Sequence, residues 1–225
     1  WSSDVCSSDL DRADVARVGR WVTGRSVGLV LGGGGARGWS HIGALRALEE
    51  LGVPVDLVGG TSQGAIVAGF IADRLTAEET RARARPLVSG LNDYTVPVVS
   101  LMGGGPISRA IQTIARPGVA IEDLWLPYYN VATNLSRAER VVQSRGPLAE
   151  AIRASISIPM ILPPVVRDGE LLIDGGLLDD VPIGEMRRRI GSGWIVAIDL
   201  SPETMHAPFD PLPHSVSGLR LLLER

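Results

Sequence analysis

Apolar positions along this chain recur with two periods, one of strands and one of helices, and the two alternate. Residues 27–31 form an almost unbroken apolar run ending in glycines, as a strand buried on both faces requires. Over residues 40–51, Ile42, Leu45, Leu48 and Leu51 fall on one helical stripe, and Gly52 stops it. A second buried strand is predicted at 55–58, punctuated by Gly59 and Gly60, with a second helix at about 64–72. Strand, glycine turn and helix, twice over, is α/β alternation and implies a parallel sheet.

Thr76 with Glu79 makes a capping box for a third helix through about residue 88. Residues 89–106 are less regular, with Gly103, Gly104 and Gly105 marking a flexible loop. A strand is expected at 128–133. Ser136 with Glu139 also matches a capping box, but Val141 and Val142 favour a turn between two strands. Pro147 starts a helix to about residue 155, and Pro159, Pro163 and Pro164 exclude regular structure after it. A short strand at 171–173 runs into Asp174, Pro182 opens a helix through 189, and residues 194–200 supply a last core strand.

Length and composition narrow the picture. A chain of 225 residues with 45% hydrophobic content buries a sizeable core, and one domain over residues 24–201 accounts for it. Residues 1–23 are expected outside that domain. The first ten repeat Ser-Ser-Asp without any period and read as an artefact. Residues 202–225 read as a truncated C-terminal extension, because their closing apolar run lacks a helix stop signal. A net charge of −3 gives no electrostatic reason to expect nucleic acid. All 22 basic residues are arginine, which removes Ser-Lys dyads, Schiff-base lysines and phosphate-loop lysines together. Cys6, His41, His206 and His214 show no metal-ligand spacing, so no metal or cofactor is expected. With no apolar run near ~20 residues and no secretory signal, the reading is cytoplasmic.

Three segments carry chemistry, each just after a predicted strand, the edge where α/β sheets bind ligands. In Gly60-Thr61-Ser62-Gln63-Gly64, the G-x-S-x-G spacing puts Ser62 on a strand-to-helix turn crowded enough to need Gly60 and Gly64. The plainer reading is an ordinary glycine-rich turn. In the segment Gly32 to Gly38, the amides of Gly33, Gly34 and Gly35 are candidate donors to a tetrahedral oxyanion. The rival there is a dinucleotide fingerprint on Gly33, Gly35 and Gly38, with Asp56 as the ribose-binding acid. In Asp174-Gly175-Gly176, Asp174 is a candidate proton acceptor, against the common use of Asp-Gly as a turn. A Ser-His-Asp esterase with His206 or His214 as base also fits the chain order. Both histidines lie in a proline-rich stretch with no strand to hold them, and a structural role is preferred for them and for His41.

Together, and in this order, the three segments resemble the signatures of patatin-like phospholipases, and the flanking sequence resembles the bacterial branch close to the neuropathy target esterase catalytic domain. The likeness spans about residues 24–201. It implies a three-layer α/β/α sandwich with a mainly parallel sheet, and a lipid ester hydrolase acting on lysophospholipids or phospholipids. It further implies a Ser62–Asp174 dyad and an oxyanion loop over Gly33–Gly38 in which Arg37 gives structural or electrostatic support. A cyclic-nucleotide-binding domain often precedes this domain in similar proteins. A lipid substrate also implies peripheral membrane contact, for which residues 97–102 are the candidate stretch. Two departures stand out: Trp39 after the loop narrows the pocket mouth, and Asp179-Asp180 adds negative charge near Asp174, raising its pKa.

Overall fold

Strands β1 (Val27–Leu31) and β2 (Leu57–Thr61) lie parallel, with Leu29 opposite Val58, and both are buried almost throughout. The structure, a computed structural model, describes residues 12–89, 100–114 and 118–201. Gly59 and Gly60, expected to break the second strand, instead pair with Tyr129 and Asn130 of β3 (Tyr128–Asn134). Glycines read locally as a stop, but neighbours on both sides of β2 supply its hydrogen bonds.

Antiparallel to β3 run β4 (Glu139–Gln143) and, from elsewhere in the chain, β6 (Glu170–Asp174), which forms a hairpin with β5 (Val165–Arg167). β5, which starts directly after Pro164, was not foreseen. Asp168 and Gly169 both have positive φ and join Arg167 to Glu170, the two-residue turn that Asp-Gly favours. β7 (Trp194–Ile198) pairs parallel with the free side of β1. Expected as a core strand, it is an edge among the described residues, and Trp194 is 71% exposed.

Seven helices are described: α1 (Arg12–Val22), α2 (Ser40–Glu50), α3 (Gln63–Ala72), α4 (Ala77–Ser89), α5 (Gly105–Ile114), α6 (Leu148–Ser155) and α7 (Ile183–Ile190). Alternation along the strands sends Leu29, Leu31, Val58 and Tyr128 to one side, against residues of α2 through α6. Val30, Leu57, Tyr129 and Val131 face the other side, against Met186 and Ile190 of α7 and Trp21 of α1. Two cores on one sheet make the three-layer α/β/α sandwich. α3 is apolar all round and buried from Gly64 to Ala72, as a helix at the centre of a layer must be.

The capping box of α4 is present, Thr76 N–H bonding Glu79 Oε2 at 2.8 Å and Glu79 N–H bonding Thr76 Oγ1 at 3.3 Å. α5 went unpredicted because its first residue, Gly105, belongs to a glycine run. Pro147 stands one residue ahead of α6 rather than inside it. Residues 12–22, expected outside the domain, instead form α1, whose Arg20 grips the fully buried Asp56 through both Nε and Nη2, at 2.6–3.1 Å. Among the described residues no helix is long and apolar enough to cross a membrane.

One feature of the sheet positions the site. β4 occupies one edge of β3 along Asn130 to Asn134, so β2 and β6 share the other edge. They approach from opposite directions: β2 ends at Thr61 opposite Val131, and β6 ends at Asp174 opposite Ala132.

Candidate active site

Ser62 stands between β2 and α3 with φ 54°, a region that costs a residue with a side chain about 1–3 kcal/mol. The surroundings enforce it. Its N–H donates to Ser155 Oγ at 2.9 Å, and that hydroxyl donates to Val131 O at 2.7 Å. Gly64 lets α3 start directly against β1, since a Cβ there would lie 2.1 Å from Leu31 O. Gly60 is crowded too, since a Cβ there would lie 2.7 Å from the carbonyl of Gly64. The first turn of α3 thus points its N–H groups, and the positive end of its dipole, toward Ser62.

Asp174 meets it from β6. Ser62 Oγ donates to Asp174 Oδ2 at 2.6 Å, between residues 112 apart in sequence. The other oxygen, Oδ1, accepts Gly176 N–H at 2.8 Å, and the N–H of Asp174 itself donates to Ser157 O at 2.9 Å. Gly175 presses on Val131 O, where a Cβ would sit at 2.2 Å. Burial pushes the Asp174 carboxyl up to about 6, and the charge of Asp180 adds to the rise. Hydrogen bonds from Ser62 and Gly176 pull the other way and do not cancel it. Of the two added aspartates, Asp179 is offset by Arg140 at 2.5 Å. Asp180 is the one that acts on Asp174. Its carboxylate lies against Gly33 and Gly176, and burial raises its own pKa as well.

The glycine loop leaves β1 and passes beside Ser62. Gly33 was expected among the oxyanion donors, yet its N–H is committed to Asp180 O at 3.2 Å, while Gly32 N–H holds Ile198 O. Among the described residues, no acceptor takes the main-chain N–H groups of Gly34 and Gly35. Gly35 has φ +52° and opens a 3-10 turn, Gly35–Trp39. Arg37 is exposed and reaches Leu200 O at 3.4 Å, bracing the loop from outside. Gly38 is covered by the side chain of Gln63. His41 is fully buried, and its Nε2 donates to Gly32 O at 2.8 Å. Burial lowers its pKa, so the ring is a neutral brace for the loop.

A cavity of about 300 Å³ opens beside Ser62, lined by Trp39, Ile66, Met102, Ile107, Ile156 and Ile161 among others, and is mostly apolar. Trp39 stands in its wall. Gln63 contributes a buried amide nitrogen with no partner among the described residues.

The rival readings fare differently. Asp56, the acid a dinucleotide site needs, is taken by Arg20 and Val27 N–H at the opposite end of the sheet. Asp174 bonds Ser62 directly, which leaves no place between them for an imidazole, and His206 and His214 lie outside the described residues. Of the candidate membrane stretch, residues 97–99 also lie outside them, and Met102 is buried in the cavity wall. Sequence reasoning missed Ser155, Ser157 and Gln63. The only available signal was two serines alternating with apolar residues at the end of a predicted helix.

Fold and site together define an α/β protein with a serine on a strand-to-helix elbow, a carboxylate bonded to it, and an apolar cavity alongside. The family model for patatin-like phospholipases matches residues 29–187, and the chain belongs to that family. Patatin-like phospholipase domain-containing protein 6 of Mus musculus is 40% identical over 231 aligned residues, covering 98% of this chain and 17% of the mouse protein. Lysophospholipase NTE1 of Eremothecium gossypii is 38% identical over 219 residues, covering 94% of this chain and 14% of its own length. The chain therefore spans less than a fifth of these curated relatives. VipD from Legionella pneumophila has the same fold, with a TM-score of 0.50 at 16% identity over 70% of this chain and 47% of its own.

Proposed function

We propose that this chain is the catalytic part of a lipid ester hydrolase, of lysophospholipase or phospholipase type, that works through Ser62 and Asp174. The observation that carries the reading is the 2.6 Å hydrogen bond from Ser62 Oγ to a buried carboxylate at the mouth of an apolar cavity. Asp174, ionised above pH about 6, takes the hydroxyl proton as Oγ attacks the ester carbonyl. Negative charge develops on the carbonyl oxygen. The unpaired amides of Gly34 and Gly35 and the first turn of α3 are the donors for it. Protonated Asp174 then returns the proton to the departing alkoxide, leaving an acyl-enzyme on Ser62. Water attacks that ester, Asp174 takes its proton, and the fatty acid leaves as Oγ is reprotonated.

The acyl chain lies in the cavity and the headgroup stays outside, which fits the lysophospholipase and phospholipase names of the relatives. By the same resemblance the enzyme visits the cytoplasmic face of a membrane, and an upstream cyclic-nucleotide-binding domain belongs to the longer protein. The deciding experiment follows fatty acid release from lysophosphatidylcholine, with fluorophosphonate labelling in parallel. Ser62→Ala should lose both, whereas Asp174→Asn should lose turnover with the fold intact. Hydrolysis surviving Ser62→Ala would defeat the reading. Retention on phosphatidylcholine liposomes in a sedimentation assay tests the membrane visit separately.

A further inference from the structure

Arg153 is a buried charge that the chemistry above leaves unused. It lies in the last turn of α6, 9% exposed, and among the described residues its side-chain hydrogen bonds all go to neutral oxygens. Burial lowers its pKa, so the position is costly for a cation. What holds it is the shape of the guanidinium fork. Nε donates to Ser108 Oγ at 3.1 Å, Nη1 to Ser157 Oγ at 2.5 Å, and Nη2 to Pro163 O at 3.0 Å.

None of these groups lines the cavity beside Ser62, but each acceptor is a chain neighbour of a residue that does. Ser108 follows Ile107 on α5. Ser157 and Pro163 bracket the segment that supplies Ile158, Ile161 and Leu162. Arg153 itself belongs to the helix that ends just before Ile156. Gly104 packs so closely on Nη2 that a Cβ would come within 2.8 Å, which draws in the turn after Met102. Main-chain bonds from Leu101 to Met160 O and from Met102 to Ile161 O tie loop to loop. The guanidinium ties those loops to two helices.

We propose that Arg153 is a positioning residue that sets the depth of the acyl cavity, and through it the chain length the enzyme prefers. The inference rests on Ser62 being the nucleophile beside that cavity. The two ends of the 157–163 segment are held unequally. Ser157 keeps a second tie, because its carbonyl accepts Asp174 N–H at 2.9 Å. Loss of the fork therefore leaves the Ser62–Asp174 end in register and loosens the far wall at Ile107 and Leu162, with Ile161 held only through its bond from Met102. Short esters, which do not reach that wall, lose little. Long esters lose the contacts that distinguish them.

The test compares kcat/KM for p-nitrophenyl decanoate and p-nitrophenyl butyrate in Arg153→Lys and Arg153→Gln, with a melting curve for each protein. The decanoate-to-butyrate ratio is expected to fall about ten-fold in Arg153→Gln, mainly through KM for decanoate. Arg153→Lys should fall between it and the unaltered enzyme, since an ammonium keeps the charge without the fork. Should Arg153→Gln not fold, Ser108→Ala removes only the α5 contact and should move the ratio the same way by about three-fold. An unchanged ratio in folded variants, or an equal loss on both esters, overturns the inference. Butyrate hydrolysis persisting in Ser62→Ala would instead defeat the functional reading on which it rests.

Discussion

The hydroxyl of Ser155 accepts the main-chain N–H of Ser62 at 2.9 Å, across 93 residues of sequence, and itself donates to Val131 O at 2.7 Å. One small side chain thus joins α6, β3 and the turn that carries the reacting hydroxyl. Ser155→Ala would leave a fully buried N–H without an acceptor, at a cost of about 1–3 kcal/mol. The turn would then lose a restraint on its positive φ. A lower melting temperature is expected, with kcat reduced about ten-fold and KM nearly unchanged, since the cavity is untouched. Steady-state kinetics beside a thermal melt separates these effects.

Asp174→Asn tests the carboxylate as a base and as a buried charge. Turnover is expected to fall by about 10³-fold or more, because an amide cannot take the serine proton. Stability at neutral pH should rise. The step from an ordinary 3.8 to about 6 represents roughly 3 kcal/mol of disfavoured ionisation in the fold. Urea denaturation at pH 8 measures the gain, and a loss of stability would contradict the assignment of burial as the dominant cause.

The same shift predicts two pH dependences. Activity needs the ionised carboxylate, so kcat/KM should climb through pH about 6 and level off above it. Stability runs the opposite way. The folded protein holds this proton more tightly than the unfolded chain, so the contribution is complete below pH about 4 and is lost as pH rises through about 6. Asp180→Asn removes a charge that raises the Asp174 pKa and should move the activity inflection to lower pH. An inflection that stays put would show the two carboxylates to be uncoupled.

Two glycines give contrasting expectations. Gly64→Ala would drive a Cβ to 2.1 Å from Leu31 O, a collision between main-chain segments with nowhere to relax. A loss of about 3 kcal/mol or more, or failure to fold, is expected. Gly43 sits in α2 with nothing within 4 Å of its added Cβ. There, Ala should stabilise by about 0.5–1 kcal/mol through helix propensity. Chemical denaturation of the pair measures both signs.

The alternation of strands and helices, the position of each chemical segment at a strand end and the need for Gly60 and Gly64 were legible in the sequence. All are local: hydrophobic period, capping chemistry and steric crowding act over a few residues. α5 was hidden by its opening glycine, and the turn at Asp168-Gly169 carried a signal that the neighbouring prolines obscured.

Register and sheet edges belong to another class. No local pattern says that β2 and β6 share one edge of β3, and that sharing brings Ser62 to Asp174. Nor does the glycine loop announce that Asp180 O will occupy the N–H of Gly33, while those of Gly34 and Gly35 find no acceptor among the described residues. The amino-acid sequence determined which groups this protein carries and which elements carry them. Long-range strand pairing decided which groups meet, because a hydrogen bond between residues 112 apart depends on how every intervening element packs.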